Sequence, residues 1–223
     1  MEGYIIDWNV FAMYLARAIA VLTAIPLHES AHAYVSYKLG DPTAKNAGRI
    51  SMNPLHHFDP MGALCMLLVG FGWAKPVPIA ATYRFKNPKR DMAISAAAGP
   101  ISNVLFAYVL MIIYKLFFYL APNLLVFNII AYVFQTMCII NISLAVFNLL
   151  PVPPLDGSRI FNIFLPEKYY FAIMRYERYI MFALFAVLWL GWLNVPLRFL
   201  QNAVWSFLVW STGYVEIILS ALL

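Results

Sequence analysis

The sequence His28-Glu29-Ser30-Ala31-His32 stands inside the first long apolar run of the chain, which covers residues 8–39. Histidines four positions apart lie one above the other on the same face of an α-helix, so both imidazoles can reach one metal ion. Glu29 follows the first histidine and can take a proton from a water molecule on that metal. The H-E-x-x-H spacing is typical of zinc hydrolases, in which the glutamate acts as general base. The motif therefore predicts a metal site on a helix, with His28 and His32 as ligands.

The composition of the whole chain is that of a membrane protein. Of its 223 residues, 63% are hydrophobic and 11% are charged, whereas soluble domains carry about 25% charged residues. So few charges cannot cover a water-facing surface, and we expect an integral membrane protein in the lipid bilayer whose spans are helices. The net charge of +5 is not gathered into a basic groove, so no nucleic-acid partner is expected. The two cysteines, Cys65 and Cys138, stand in apolar surroundings and predict neither a disulfide framework nor a cysteine metal site.

The apolar segments predict an all-α polytopic membrane protein with about five transmembrane helices. A further apolar run at 61–73 is too short for a confident span. Turn-forming residues surround it, so we expect a small membrane-associated β-hairpin or re-entrant loop within residues 43–80. The five predicted spans cover residues 8–39, 92–120, 125–150, 176–194 and 197–221.

The distribution of lysine and arginine predicts the orientation of these segments. Basic residues concentrate in the loops that follow the first and third segments, and such loops face the cytoplasm. The N-terminus is then outside. His32 lies six residues before Lys38, and Asp156 lies just past the third segment, so both fall near the cytoplasmic side.

A catalytic zinc site usually has three protein ligands, so a third ligand must come from elsewhere in the chain. Asp156 is favoured, because a carboxylate at the end of a long apolar helix is costly unless it is paired or ligated. The neighbouring prolines and glycine break the helix there and can aim the side chain inward. A rival cluster in the polar loop stays open as an alternative and contains His56, His57 and Asp59.

Five motifs, in one order, give the chain a resemblance to a known family. Over about residues 20–160 it resembles the site-2 protease family of intramembrane zinc metalloproteases, in particular the compact prokaryotic members without a PDZ domain. The motifs are His28-Glu29-x-x-His32, the stretch RISMNPLHHFDP at 49–60, GWAKPVP at 72–78, Ala98-Gly99-Pro100-x-x-Asn103, and NLLPVPPLDG at 148–157.

The resemblance implies a zinc-dependent endopeptidase that cleaves transmembrane segments of membrane proteins. It implies that His28, His32 and Asp156 bind Zn²⁺, that Glu29 is the general base, and that Asn148 orients substrate or stabilises the oxyanion. It also implies a three-helix catalytic core within residues 1–160, with a small sheet from the 43–80 region that takes substrate as an added strand. Residues 161–223 are then C-terminal transmembrane helices. The implied partner is a single-pass membrane protein or a signal-peptide remnant in a prokaryotic cell membrane.

Other interpretations of the motif are weaker. A polar cluster without function is costly inside a membrane. A non-proteolytic metal-binding or transport protein should carry polar groups along several segments, whereas this chain concentrates its ionisable groups at one depth. A zinc protease with a large catalytic domain in water would need a long soluble stretch, which the chain lacks. The amides of the third segment are the exception to this concentration, namely Asn128, Gln135, Asn141 and Asn148.

Overall fold

The computed structural model of the protein describes residues 8–62, 74–80, 84–120, 124–166, 168–169, 173 and 175–222, the side chains of 8–12 excepted. Within these residues every regular element is helical, which confirms the all-α class. Two 3₁₀ turns, Pro54–His56 and Asn162–Phe164, accompany the α-helices. The α-helices are α1 (Trp8–Lys38), α2 (Thr43–Asn46), α3 (Pro88–Leu120), α4 (Leu125–Asn148), α5 (Asp156–Phe161), α6 (Glu177–Trp189), α7 (Asn194–Ser211) and α8 (Gly213–Leu222).

Within the described part of the chain, three helical stretches are long and apolar enough to cross a membrane: α3, α4 and Asn194–Leu222, which α7 and α8 form together. They correspond to the segments predicted at 92–120, 125–150 and 197–221, and they support an integral membrane protein. Helix α1 has 31 residues, about 46 Å at 1.5 Å per residue, but Arg17 and the ionisable motif interrupt its apolar run. The number of five transmembrane helices is therefore not confirmed.

The predicted segment at 176–194 contains a shorter helix than expected. Helix α6 has 13 residues, which span about 20 Å against a hydrocarbon core of about 30 Å. Gly191 ends it, with a φ of +75° that favours glycine. The amides of Gly191 and Trp192 donate to the carbonyls of Leu188 and Val187 at 3.0 and 3.2 Å, which is the Schellman pattern of a helix end.

Helices α1, α3 and α4 pack against one another and form the centre of the molecule. Ala16, Ala20 and Ala24 are fully buried at intervals of four along α1, and such a stripe of small residues lets helices approach closely. Buried Met111 of α3 and Ile142 of α4 belong to the same apolar cluster, which Leu208 of α7 completes.

The described residues of the 43–80 region form no strand, and residues 63–73 lie outside the described part of the chain. The buried side chains of Arg49 and Asp41 form hydrogen bonds with backbone groups that would otherwise be available to a sheet. The Arg49 guanidinium donates to the carbonyls of His56, Lys75 and Pro76, the last at 3.0 Å. The Asp41 carboxylate accepts the amide of Ala80 at 2.6 Å. The Arg49 bonds hold residues 75 and 76 against the loop at 49–57, and the Asp41 bond holds Ala80 against the turn that follows α1. The β-hairpin is not confirmed.

Candidate metal centre

Three side chains that can ligate a metal converge where α1 meets the start of α5. His28 and His32 project from one face of α1, and Asp156 is the first residue of α5. The Nε2 atoms of the two histidines lie 3.0 Å apart, and Asp156 Oδ2 lies 3.0 and 3.2 Å from them. Among the described residues, no other group of three His, Cys or acidic side chains is close enough to share an ion. The structure thus brings together the three residues predicted as metal ligands.

Hydrogen bonds on the far side of each ring fix the tautomers of the histidines. His28 Nδ1 lies 2.8 Å from Asn103 Oδ1, and His32 Nδ1 lies 2.7 Å from the backbone carbonyl of Ser95. Both partners are oxygen acceptors, so each Nδ1 carries a proton and donates it. In the neutral imidazoles each Nε2 then keeps a free lone pair. Both lone pairs face the carboxylate of Asp156.

This donor set fits a metal ion. Three acceptors at this distance repel one another unless a cation lies among them. A tetrahedral zinc ion with bonds of about 2.0–2.1 Å holds its ligand atoms about 3.3 Å apart, close to the 3.0–3.2 Å observed here. Asp156 would ligate the ion as a carboxylate, the deprotonated form that a metal requires.

Gly99 of α3 forms the wall of the centre on the side of the imidazoles. A Cβ atom at this position would lie 2.4 Å from His32 Nε2 and 2.6 Å from His28 Cε1. Only glycine leaves room for both rings here. Gly157 has a similar role beside Asp156, because a Cβ there would lie 2.2 Å from the carbonyl oxygen of Leu149.

The two predicted catalytic residues lie on the helices that carry the centre or lead to it. Glu29 is half-buried on α1, directly after the first histidine. Asn148 is the last residue of α4 and is half-buried. Its Nδ2 donates to the Leu144 carbonyl of its own helix at 3.0 Å, so the amide nitrogen is directed along α4.

The rival cluster in the loop makes local contacts. His57 is buried, and its Nε2 donates to the Ser51 carbonyl at 2.8 Å. His56 Nδ1 lies 3.2 Å from the carbonyl oxygen of Gly48. Asp59 Oδ1 accepts the Gly62 amide at 2.9 Å. These bonds hold the shape of the loop, and the three side chains do not form a shared site in the described residues.

Sequence reasoning missed three residues that build this centre. Gly99 appeared only within a motif of the family resemblance, Asn141 was counted only among the amides of its helix, and Ser95 was not considered. A buried amide in an apolar helix is a weak signal of a hydrogen-bonding role. Nothing in the sequence shows that a carbonyl at Ser95 faces a histidine 63 residues earlier.

Comparison with known proteins identifies the family of the chain. The sequence model of peptidase family M50 matches residues 123–191, which include Asp156. YwhC of Bacillus subtilis, a predicted zinc metalloprotease, is 39% identical over 150 residues, which are 66% of this chain and 68% of YwhC. MJ0611 of Methanocaldococcus jannaschii, another predicted zinc metalloprotease, is 28% identical over 172 residues, or 76% of this chain and 82% of MJ0611.

A third relative, Rip2 of Mycolicibacterium smegmatis, is also a predicted zinc metalloprotease. It is 31% identical over 144 residues, which are 61% of this chain and 52% of Rip2. No solved structure matches the chain. The match to YwhC covers about two thirds of both chains. On this evidence the chain belongs to peptidase family M50, the site-2 protease family that its motifs resemble.

Proposed function

We propose that this chain is a zinc-dependent intramembrane endopeptidase that cleaves transmembrane segments of other membrane proteins. The observation that carries the proposal is the triangle of lone-pair atoms from His28, His32 and Asp156, 3.0–3.2 Å apart. Membership of peptidase family M50 supports the peptidase activity. The relatives named as zinc metalloproteases support zinc as the metal.

In this proposal each site residue has a separate task. His28 and His32 would hold zinc through Nε2, and Asp156 through its carboxylate. Zinc bound there would lower the pKa of a water molecule and polarise a peptide carbonyl. Glu29 would take the proton of that water and pass it to the leaving amine as the peptide C–N bond breaks. Asn148 would orient the substrate or stabilise the oxyanion, for which its amide would leave the Leu144 carbonyl.

We also propose how the enzyme meets its membrane and its substrate. The loops rich in lysine and arginine favour an active site nearer the cytoplasmic side, with the N-terminus outside. Helix α1 would cross the membrane together with the C-terminal helices of residues 161–223, giving about five spans. The 43–80 region would offer a backbone edge to an unwound substrate strand. The substrate would be a single-pass membrane protein or a signal-peptide remnant.

Glu29→Gln tests the chemistry of this proposal. The amide cannot take a proton, and a general base typically contributes about 10²–10⁴-fold in rate. We therefore expect the variant to keep zinc and to lose cleavage of tagged single-pass membrane proteins and signal-peptide remnants expressed in the same cells. The control His32→Ala should lose both zinc and cleavage.

Two results would contradict the proposal. Cleavage by Glu29→Gln at the rate of the native chain would remove Glu29 from its role. A native chain that binds zinc, cuts none of the tagged proteins and carries zinc into proteoliposomes would instead establish the transport alternative.

A further inference from the structure

We infer that Asn141 of α4 is a positioning residue of the metal centre, which fixes the tautomer of His28 through Asn103 of α3. The inference rests on the proposed function, because it concerns how the chain prepares His28 to bind zinc. Asn141 itself does not contact the three ligand atoms. It acts two hydrogen bonds away from them.

The two amides form a chain of hydrogen bonds with a single direction. Asn141 Nδ2 donates to the Met137 carbonyl at 2.8 Å, which leaves Asn141 Oδ1 as an acceptor. Asn103 Nδ2 donates to that oxygen at 2.9 Å, so Asn103 Oδ1 faces His28 Nδ1 at 2.8 Å. The chain starts at a backbone carbonyl, which can only accept. Each amide therefore has one orientation that satisfies all of its partners.

Reversing Asn103 would change the ligand. Its NH₂ group would then donate to His28 Nδ1, and the proton of the ring would have to move to Nε2. A protonated Nε2 has no lone pair for a metal. Both amides are completely buried, and after the reversal the oxygens of Asn103 and Asn141 would face each other without water. Asn141 therefore disfavours the tautomer that cannot bind zinc.

The tautomer of His32 does not depend on the two amides. Its Nδ1 donates to the backbone carbonyl of Ser95 at 2.7 Å, and a carbonyl in the middle of a helix cannot reverse. A side-chain amide can reverse, and Asn103 is oriented by Asn141 Oδ1 at 2.9 Å, with the Ala24 carbonyl as a second, longer acceptor at 3.5 Å. The effect of Asn141 should fall on His28 alone.

The test measures zinc affinity in detergent-purified protein, as zinc retained per chain against graded concentrations of a chelator. Asn141→Leu removes both hydrogen bonds at nearly constant size. Loss of an outer partner of a metal ligand typically lowers metal affinity about 10–100-fold, and we expect a loss in that range. Gln135→Leu, which removes a half-buried amide from the same helix, should leave the affinity unchanged.

A second substitution distinguishes orientation from packing. Asn103→Asp gives His28 a carboxylate, whose two oxygens both accept and need no orientation. The double variant Asn103→Asp/Asn141→Leu, in which no amide oxygen faces the new carboxylate, should regain most of the affinity lost in Asn141→Leu. If Asn141→Leu does not yield folded protein, Asn141→Thr can replace it. The threonine hydroxyl can still bond to its own helix but is too short to orient Asn103.

The results distinguish a failure of this inference from a failure of the proposed function. A folded Asn141→Leu or Asn141→Thr chain with native zinc affinity overturns the inference and leaves the proposed function intact. A loss that Asn103→Asp does not restore also overturns it, because the effect then comes from packing. A native chain that binds no zinc overturns the proposed function and this inference together.

Discussion

At the scale of single residues, the candidate metal centre depends on a position without a side chain as well as on its three proposed ligands. Gly99 presents no side chain to the imidazoles of His28 and His32, and this allows the helices α1 and α3 to approach at that point. Asn103 lies one helical turn further along α3 and holds His28 from behind. One short stretch of α3 thus supplies both the space and the orientation that the histidines need.

Gly99→Ala should abolish metal binding. The new Cβ would lie 2.4 Å from His32 Nε2 and 2.6 Å from His28 Cε1, so at least one imidazole must leave its position. Zinc content and cleavage should both fall to background. Gly213→Ala is the matched control, because a Cβ there meets no atom within 4 Å. A Gly99→Ala chain with native zinc content would show that the rings can shift and still bind.

The three residues of the candidate metal centre could be predicted from the sequence, but most of their hydrogen-bond partners could not. The spacing of His28 and His32 follows from helix geometry alone, and the cost of a carboxylate beside apolar helices pointed to Asp156. Asn103 and Ser95 are 75 and 63 residues away from the histidines that they hold. Contacts of that kind depend on how helices pack, which no local pattern records.

At the scale of helices, the buried ammonium of Lys115 in α3 holds the C-terminal helices α7 and α8 against the core. Lys115 of α3 donates to the Val209 carbonyl of α7 at 2.9 Å and pairs with Glu216 of α8 at 2.7 Å. The Lys115 side chain is 3% exposed, whereas that of Glu216 is 41% exposed. The two partners therefore differ in how easily each can be hydrated when the other is removed.

Glu216→Gln should destabilise the protein more than Lys115→Met. The first leaves a buried ammonium without its counter-charge, and the second leaves a carboxylate that can turn toward water or headgroups. Removing one partner of a buried pair costs about 3–5 kcal/mol, and the exposure of Glu216 places our expectation below that range.

Thermal unfolding in detergent shows which of these two variants is less stable. The double variant should resemble Lys115→Met, and substitution of the exposed Lys86 by Met should have no effect. Equal stability of Glu216→Gln and the native chain would mean that the pair does not fasten α8.

The ends of a helix could be predicted from the sequence only where the apolar run and the helix end at the same residues. Helices α3 and α4 follow long apolar runs and were predicted within a few residues. Helix α6 is shorter than its apolar run because Gly191 adopts a positive φ, and an apolar run does not reveal which glycine will do so. In the 43–80 region, Arg49 and Asp41 bind backbone groups across gaps of 27 and 39 residues. No local pattern predicts those long-range bonds, and the hairpin that the turn-rich sequence suggested is not confirmed.

At the scale of the whole molecule, two distant parts of the chain meet to complete one site. The H-E-x-x-H motif lies near the beginning of the sequence, and Asp156 lies 128 residues after His28. Between them, α3 and α4 cross back and return the chain to the same end of α1. The fold thus brings the histidine pair of α1 and the carboxylate at the start of α5 together inside an apolar protein.

The most direct test of this account is the zinc content of detergent-purified protein for the native chain, Asp156→Ala and Asp59→Ala. Asp59 belongs to the rival loop cluster and is the matched carboxylate control. We predict about one zinc per chain in the native protein, since a three-ligand site binds one ion. Asp59→Ala should keep that zinc, and Asp156→Ala should lose it. Full zinc in Asp156→Ala together with loss in Asp59→Ala would contradict the account and move the metal to the loop.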